Sequence, residues 1–277
     1  MIGRLNTQSL SKKLQYVVDY YQRQPQAFAM HSAEKLGKLI DVSESTIIRF
    51  AQELGFKGFK DFQQAVQEEI FENEKSLSSF TYGKPTAEQS NNLVHDTMWR
   101  DQEHINLIRN QLPASLVESF VSQLEHANQI YVAGTRTSAS LAHWFTFGLN
   151  LVTGKAHLYD QQHSDFISIV TDMKPNTVLV VFSFHRYAKS TLHLAQEAKK
   201  QGMHVLAVTD SEVAPINQHA DVLIPIQLPV RSTLDAAPVT FSFLNGVLTD
   251  LSLKQGETFQ ERTQKFESVQ LNDFFYK

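Results

Sequence analysis

Two stretches of the chain carry side chains whose types and spacing suit the capture of an anion. "IYVAGTRTSASLAHWF" passes from an apolar strand through Gly134, Thr135, Arg136, Thr137 and Ser138 into a helix. "VLVVFSFHRYAKSTLHLAQEAKK" repeats the plan, with Ser183, His185, Arg186, Tyr187 and Ser190 between a buried strand and an amphipathic helix. The N-terminus of a helix leaves backbone N–H groups without intrahelical partners and carries the positive end of its dipole, so negative charge is favoured there. Hydroxyls add donors, and a guanidinium can hold a phosphate or carboxylate through two parallel hydrogen bonds. Ligands of open parallel sheets gather at the carboxyl ends of strands, which lets both turns face one crevice. The chemistry expected is the binding of a small anionic metabolite, either phosphorylated or a carboxylic acid.

A dinucleotide is the competing occupant, and Asp160 ends the following strand where a ribose-binding acid could stand. That site needs glycine at both later positions of Gly-x-Gly-x-x-Gly, where this chain has Arg136 and Ala139. Side chains there hold a pyrophosphate off. No cofactor is expected.

A third stretch could contact nucleic acid. "SAEKLGKLIDVSESTIIRFAQELG" reads as two short helices joined by the tight turn Ile40-Asp41-Val42-Ser43. Leu36, Ile40, Val42, Ile47, Ile48 and Leu54 can pack them as a helix-turn-helix, and Gly37 permits close approach. The second helix then presents Ser43, Glu44, Ser45, Thr46 and Arg49, and its N-terminal end is the one that enters a major groove. "GFKGFKDF" adds Lys57 and Lys60 for a phosphate backbone. Asp41 counts against a standard turn, since glycine is common there.

An isomerase would need a base titrating near neutrality, within hydrogen-bond reach of a carbon acid. His143, His185, His193 and Glu197 qualify by type. His143 sits in an otherwise apolar helix and reads as a core histidine; His193 and Glu197 lie one turn apart and read as solvated. No acid/base pair stands out, and no His, Asp or Glu cluster has metal-ligand spacing. The expectation is a protein that is not an enzyme, with a sugar-phosphate isomerase as the alternative.

The elements that must position these residues fall into two rhythms. Up to about residue 72 the chain reads as helices, with Ser32 and Ser43 as N-caps and Pro25 and Gly55 as stops. A polar stretch, "NEKSLSSFTYGKPTAEQSNN", follows, and two more helical patterns lead to about residue 128. Beyond it the apolar runs "QIYVAG", "AHLYD", "TVLVVFSF", "HVLAVTD" and "DVLIPI" alternate with helical patterns, which implies a parallel sheet covered by helices. The 277 residues are 42% hydrophobic and 19% charged with a formal net charge of -4, which argues against coating nucleic acid or membrane with the whole surface. The absence of cysteine excludes disulfides and thiolate sites. No apolar run approaches the roughly 20 residues a bilayer requires, and the first residues lack the apolar stretch of a signal peptide, so a cytoplasmic location without membrane contact is expected.

"VSESTIIRFAQELGFKGFKDFQ" closely resembles the N-terminal domain of RpiR-type bacterial transcriptional regulators, in which a winged-type or homeodomain-like helix-turn-helix precedes a sugar-isomerase (SIS) domain. The second half fits that pairing in order. The resemblance implies an all-α DNA-binding domain over residues 1–77, a linker and connecting helix over 78–107, and an α/β, flavodoxin- or Rossmann-like SIS domain over 108–277 that senses an effector. It also implies a homo-oligomer, dimer or tetramer, that binds double-stranded operator DNA and acts as a repressor of carbohydrate or small-acid metabolism. The tail "AAPVTFSFLNGVLTDLSL" is a candidate oligomer surface or a core helix. SIS turns usually read Gly-x-Gly-x-Ser and Ser-x-Ser-Gly-x-Thr and hold sugar phosphate; by that pattern Thr137 and Ser138 are contacts of the first turn and Ser183 opens the second. This chain departs from it with Arg136, His185 and Arg186, which makes the expected pocket tighter and more cationic.

Overall fold

The computed structural model describes residues 11–72, 80, 84, 91–160, 162–229 and 232–269. The chain divides into two compact units, Met1–Lys75 and Ser76–Lys277.

The first unit is five helices: α1 (Lys12–Arg23), α2 (Pro25–Met30), α3 (Ala33–Ile40), α4 (Glu44–Glu53) and α5 (Phe59–Glu72). Proline at the first position of α2 needs no N–H partner, so it starts a new helix where α1 stops. Four rings from four helices form the centre. Tyr21, Phe28, Phe50 and Phe62 all touch one another, with centroids 5.1 Å apart for Tyr21–Phe28 and 5.3 Å for Phe50–Phe62. The Gln63 amide donates to the Phe28 and His31 carbonyls at 2.9 Å each, closing the end of α2.

The α3–α4 turn shows why a short sequence can fix two helices. Ser32 and Ser43 cap them, accepting from the N–H groups of Lys35 and Thr46 at 3.2 and 3.3 Å. A Cβ on Gly37 would lie 2.7 Å from the Val42 carbonyl oxygen, so only glycine lets the turn fold back this closely. Asp41 occupies the left-handed region at φ 59°. The position does require that conformation, and aspartate tolerates it, which removes the objection raised by the missing glycine.

The second unit begins with α6 (Leu93–Gln111) and α7 (Ala114–Glu125) and then alternates: β1 (Gln129–Gly134), α8 (Ser138–Val152), β2 (Ala156–Tyr159), α9 (Phe166–Thr171), β3 (Thr177–Ser183), α10 (Lys189–Lys200), β4 (His204–Thr209), a short 3-10 turn (Pro215–Gln218) and β5 (Val222–Pro225). Two helices, α11 (Thr233–Lys254) and α12 (Gly256–Ser268), follow. The five strands are parallel in the order β2-β1-β3-β4-β5. Every residue of β3 is buried, as a central strand covered on both faces must be. Its alternate residues divide between two cores. Val178, Val180 and Phe182 meet α7, α8 and α11, while Leu179 and Val181 meet α10. Because β1 leads outward to β2 and β3 leads the other way to β4, the loops leaving β1 and β3 diverge and open a crevice between them. Position 107, where a boundary was expected, lies inside α6. Among the described residues no helix is long and apolar enough to cross a membrane.

Candidate functional site

Ser43, Glu44, Ser45 and Thr46 form the start of α4, with Ser43, Glu44 and Ser45 exposed. The Ser43 hydroxyl lies 2.8 Å from both the Ser45 and the Thr46 hydroxyl. Arg49 follows one turn later with 70% of its side chain exposed, and its only side-chain tie among the described residues is an ion pair to Glu53 at 3.5 Å. Such an exposed pair is worth little and yields readily to a phosphate. Lys57 is in the loop before α5 and Lys60 in its first turn, both exposed. The Lys57 backbone N–H donates to Asp61 at 2.9 Å, which holds that loop against α5.

In the second unit the two hydroxyl-rich turns meet. A cavity of about 110 Å³ is lined by Thr135, Arg136, Thr137 and Ser138 from the turn after β1, and by Ser183, His185 and Arg186 from the turn after β3. Thr191 and Thr233 also reach it. The hydroxyls of Thr135 and Thr191 are 3.3 Å apart and tie the two turns across the crevice. Thr135, Arg136, Ala188 and Thr191 also border a larger cavity of about 470 Å³, where Gly134 and Ser190 stand with His143, Tyr159 and Asp160.

Backbone geometry explains the shape. A Cβ on Gly134 would lie 2.4 Å from the Ser138 carbonyl oxygen, so β1 can run directly under the first turn of α8. Arg136 and Arg186 both adopt left-handed backbone, at φ 56° and 67°. The family pattern places glycine at both positions, and the conformation that glycine serves is retained here by arginines. Neither arginine has an ion-pair partner among the described residues, and both are exposed. Neither α8 nor α10 is capped by a side chain, in contrast to α11, where Ser232 accepts from Asp235.

Two buried polar atoms in the wall of the smaller cavity, Ser183 Oγ and His185 Nδ1, lack a hydrogen-bond partner among the described residues. Leaving such atoms unpaired costs about 1–3 kcal/mol each, which a bound ligand or water would recover. Asp210, at the end of β4, fixes the turn that carries them. Its carboxylate accepts from the His185 backbone N–H at 3.1 Å and from the Tyr187 hydroxyl at 2.7 Å. Tyr187 therefore braces the turn and lines neither cavity.

Two expectations need correction. His143 is exposed and borders the larger cavity; it is not a core histidine, because the apolar residues of α8 bury the opposite face. Glu197 is not simply solvated, since it pairs with Lys200 at 2.7 Å and is held below the usual carboxylate range by that bond. Asp210 and Thr233 were not expected at the site from the sequence. An acid directly after the buried run "HVLAVT" was the available signal for Asp210. Asp160 carries a second clamp: hydrogen bonds from the Gln162 N–H and His163 keep its carboxyl below the ordinary range.

Sequence comparison assigns both units. The rpiR-family helix-turn-helix domain matches residues 4–73 and the SIS domain residues 123–249. The chain joins an rpiR-family helix-turn-helix domain to a SIS domain. An uncharacterised HTH-type transcriptional regulator of Haemophilus influenzae is 25% identical over 225 residues, spanning 78% of this chain and 75% of that one. NanR of Vibrio vulnificus, solved in complex with ManNAc-6P, shares the fold with a TM-score of 0.63 at 17% identity, over 100% of this chain and 98% of its own. The sugar isomerase domain of an RpiR transcription factor from Sphaerobacter thermophilus matches with a TM-score of 0.58 at 20% identity, over 64% of this regulator and 99% of that chain.

Proposed function

We propose that the regulator binds operator DNA through the start of α4, and that a small phosphorylated metabolite seated between the β1 and β3 turns changes that affinity. The observation that carries the effector reading is the convergence of the two turns on one cavity containing the unpartnered atoms of Ser183 and His185. NanR was solved with a sugar phosphate, which makes phosphorylated sugars the first class to screen, with small carboxylic acids second. The controlled genes on this reading serve carbohydrate or small-acid metabolism, the regulator represses them in the cytoplasm, and the protein is not an enzyme. A thermal-shift screen followed by titration against the complex with the gene's own upstream region tests the effector. A stabilising compound that leaves DNA affinity unchanged would remove the sensor role. His143 favours an isomerase as the second reading, because it faces the larger cavity. Turnover of a bound aldose phosphate, lost in His143→Gln, would establish it.

Arg49 supplies the sharpest test of DNA binding. Replacing it with alanine is expected to weaken binding to the upstream region by about 1–3 kcal/mol, roughly 5- to 150-fold, as for loss of a base or phosphate contact. Lys57→Ala is expected to cost less and to flatten the salt dependence. Gel retardation at two salt concentrations separates these effects. Equal affinity of Arg49→Ala and wild type would take α4 out of the reading role.

A helix-turn-helix reads few base pairs, so two copies on a palindrome are the working unit on this reading. The surface that supports pairing is a groove of about 710 Å³ between α6, α7 and α11. Ile105, Ile108, Leu112, Val239, Phe243 and Val247 form its floor, and its edge carries Arg109 and Lys254 with Glu118 and Asp250. A rim holding both signs suits a patch that must meet its own copy. Val94 and Met98, 66% and 64% exposed, continue the same seam of α6 at heptad spacing. "AAPVTFSFLNGVLTDLSL" thus has two faces, one in the core and one in the groove. The double variant Val94→Glu, Met98→Glu is expected to sediment as a monomer at micromolar concentration where wild type is a dimer. A dimeric variant would move the interface elsewhere.

A further inference from the structure

The chain between α5 and α6 contributes one lysine to a buried ionic cluster beside the effector cavity. Lys84 Nζ lies 3.1 Å from Asp235 Oδ1, and Arg100 Nη2 lies 2.9 Å from the same oxygen. Asp235 is 8% exposed at its side chain and belongs to the first turn of α11, two residues after Thr233, which lines the smaller cavity. Lys84 also stands over the Phe80 ring, 2.9 Å from its centroid. Asp101 and His104 complete the surroundings: burial raises the Asp101 carboxyl, and burial, reinforced by Arg100, depresses the His104 imidazole. Lys84 Nζ, Arg100 Nε and His104 Nδ1 are buried, and none of the three has a hydrogen-bond partner among the described residues, so the contact of Lys84 with Asp235 is an ion pair only.

Buried ion clusters rarely add net stability, because desolvation offsets the attraction; their best-attested use is to set a register or a switch. Two features here suit a switch. Asp235 has two cations on one oxygen, so Lys84 can depart while Arg100, rooted in α6, still neutralises the carboxylate. The lysine also has an aromatic partner, Phe80, in its own segment of chain, so its departure does not leave the ammonium without a favourable neighbour. An anion entering beside Thr233 brings negative charge towards this cluster and favours retention of a cation.

We propose that Lys84 and Asp235 form a releasable latch, closed by effector binding, through which occupancy of the cavity changes affinity for DNA. This rests on the effector reading above and names its route of regulation. A state is selected only as far as the ligand prefers it, and typical couplings change affinity about 5- to 150-fold.

Full-length Lys84→Met and Asp235→Asn separate a latch from a plain structural bond. A latch predicts that Lys84→Met melts within about 3 °C of wild type, whereas Asp235→Asn, which strands two cations, melts lower by on the order of 10 °C. With ManNAc-6P as probe, Lys84→Met should bind more weakly than wild type, as reciprocity requires of a ligand that closes the latch, and should lose the shift in affinity for the upstream DNA. Two results overturn the proposal: a melting loss in Lys84→Met as large as in Asp235→Asn, or a wild-type DNA shift in Lys84→Met. If ManNAc-6P and inorganic phosphate fail to bind wild type, the effector reading fails for those compounds, and the melting comparison still decides the latch.

Discussion

Phe62→Ala is expected to unfold the helical unit and abolish DNA binding while leaving the sheet-containing unit folded. Phe62 is fully buried and touches Tyr21, Phe28, Phe50, Phe56 and Phe59, so it joins rings from α1, α2, α4 and α5. Truncating a buried phenylalanine costs about 3–5 kcal/mol, the lost transfer energy plus the cavity left behind. A unit of this size has only about 5 kcal/mol or so to lose, because small domains bury a smaller share of their surface. Calorimetry of wild type should show two transitions, since the cores are separate. In Phe62→Ala the helical transition should fall towards working temperature and the other stay in place. Movement of both together would show that the two units unfold as one.

The ring cluster illustrates what a sequence makes legible. Apolar residues at helical spacing put Leu14, Val17, Val18 and Tyr21 on one face of α1, and all four are buried. Caps such as Ser32 and Ser43 act locally, so the residues that make them can be read in place. The inner strands β1, β3 and β4 are likewise visible, because a strand covered on both faces is an apolar run. What stays hidden is whatever depends on chain segments far apart. Asp210 braces a turn 25 positions earlier, and Asp235 meets Arg100 across 135. Nothing in the local pattern of Asp235 distinguishes it from a solvated acid, and for Asp210 the one local sign is its place directly after the buried run "HVLAVT". His143 was misread for a related reason. The histidine stands among apolar residues in sequence, yet a helix turns about 100° per residue and places it on the open side. Asp41 shows the converse case, a residue that departs from the common type while keeping the backbone conformation the turn needs.

The same reasoning gives Arg186 two opposed roles that one substitution can separate. At φ 67° the left-handed backbone costs a side-chain-bearing residue on the order of 1 kcal/mol, and glycine avoids that cost. Arg186→Gly is therefore expected to raise the melting temperature of the sheet-containing unit by about 1–4 °C. The exchange removes a guanidinium from the cavity wall, and hydrogen bonds to a charged group contribute about 1.5–3 kcal/mol. Affinity for a bound sugar phosphate should fall by roughly 10- to 150-fold. Arg186→Lys keeps both the strain and the charge but loses the planar fork, so it should gain no stability and bind at an intermediate level. Thermal melting without ligand and titration calorimetry with ManNAc-6P measure the two effects independently. A glycine variant that is more stable and binds as tightly as wild type would show that the arginine serves something other than the anion. One that is less stable would mean the turn depends on contacts of the arginine side chain, and that its left-handed backbone is not a strain the ligand site imposes.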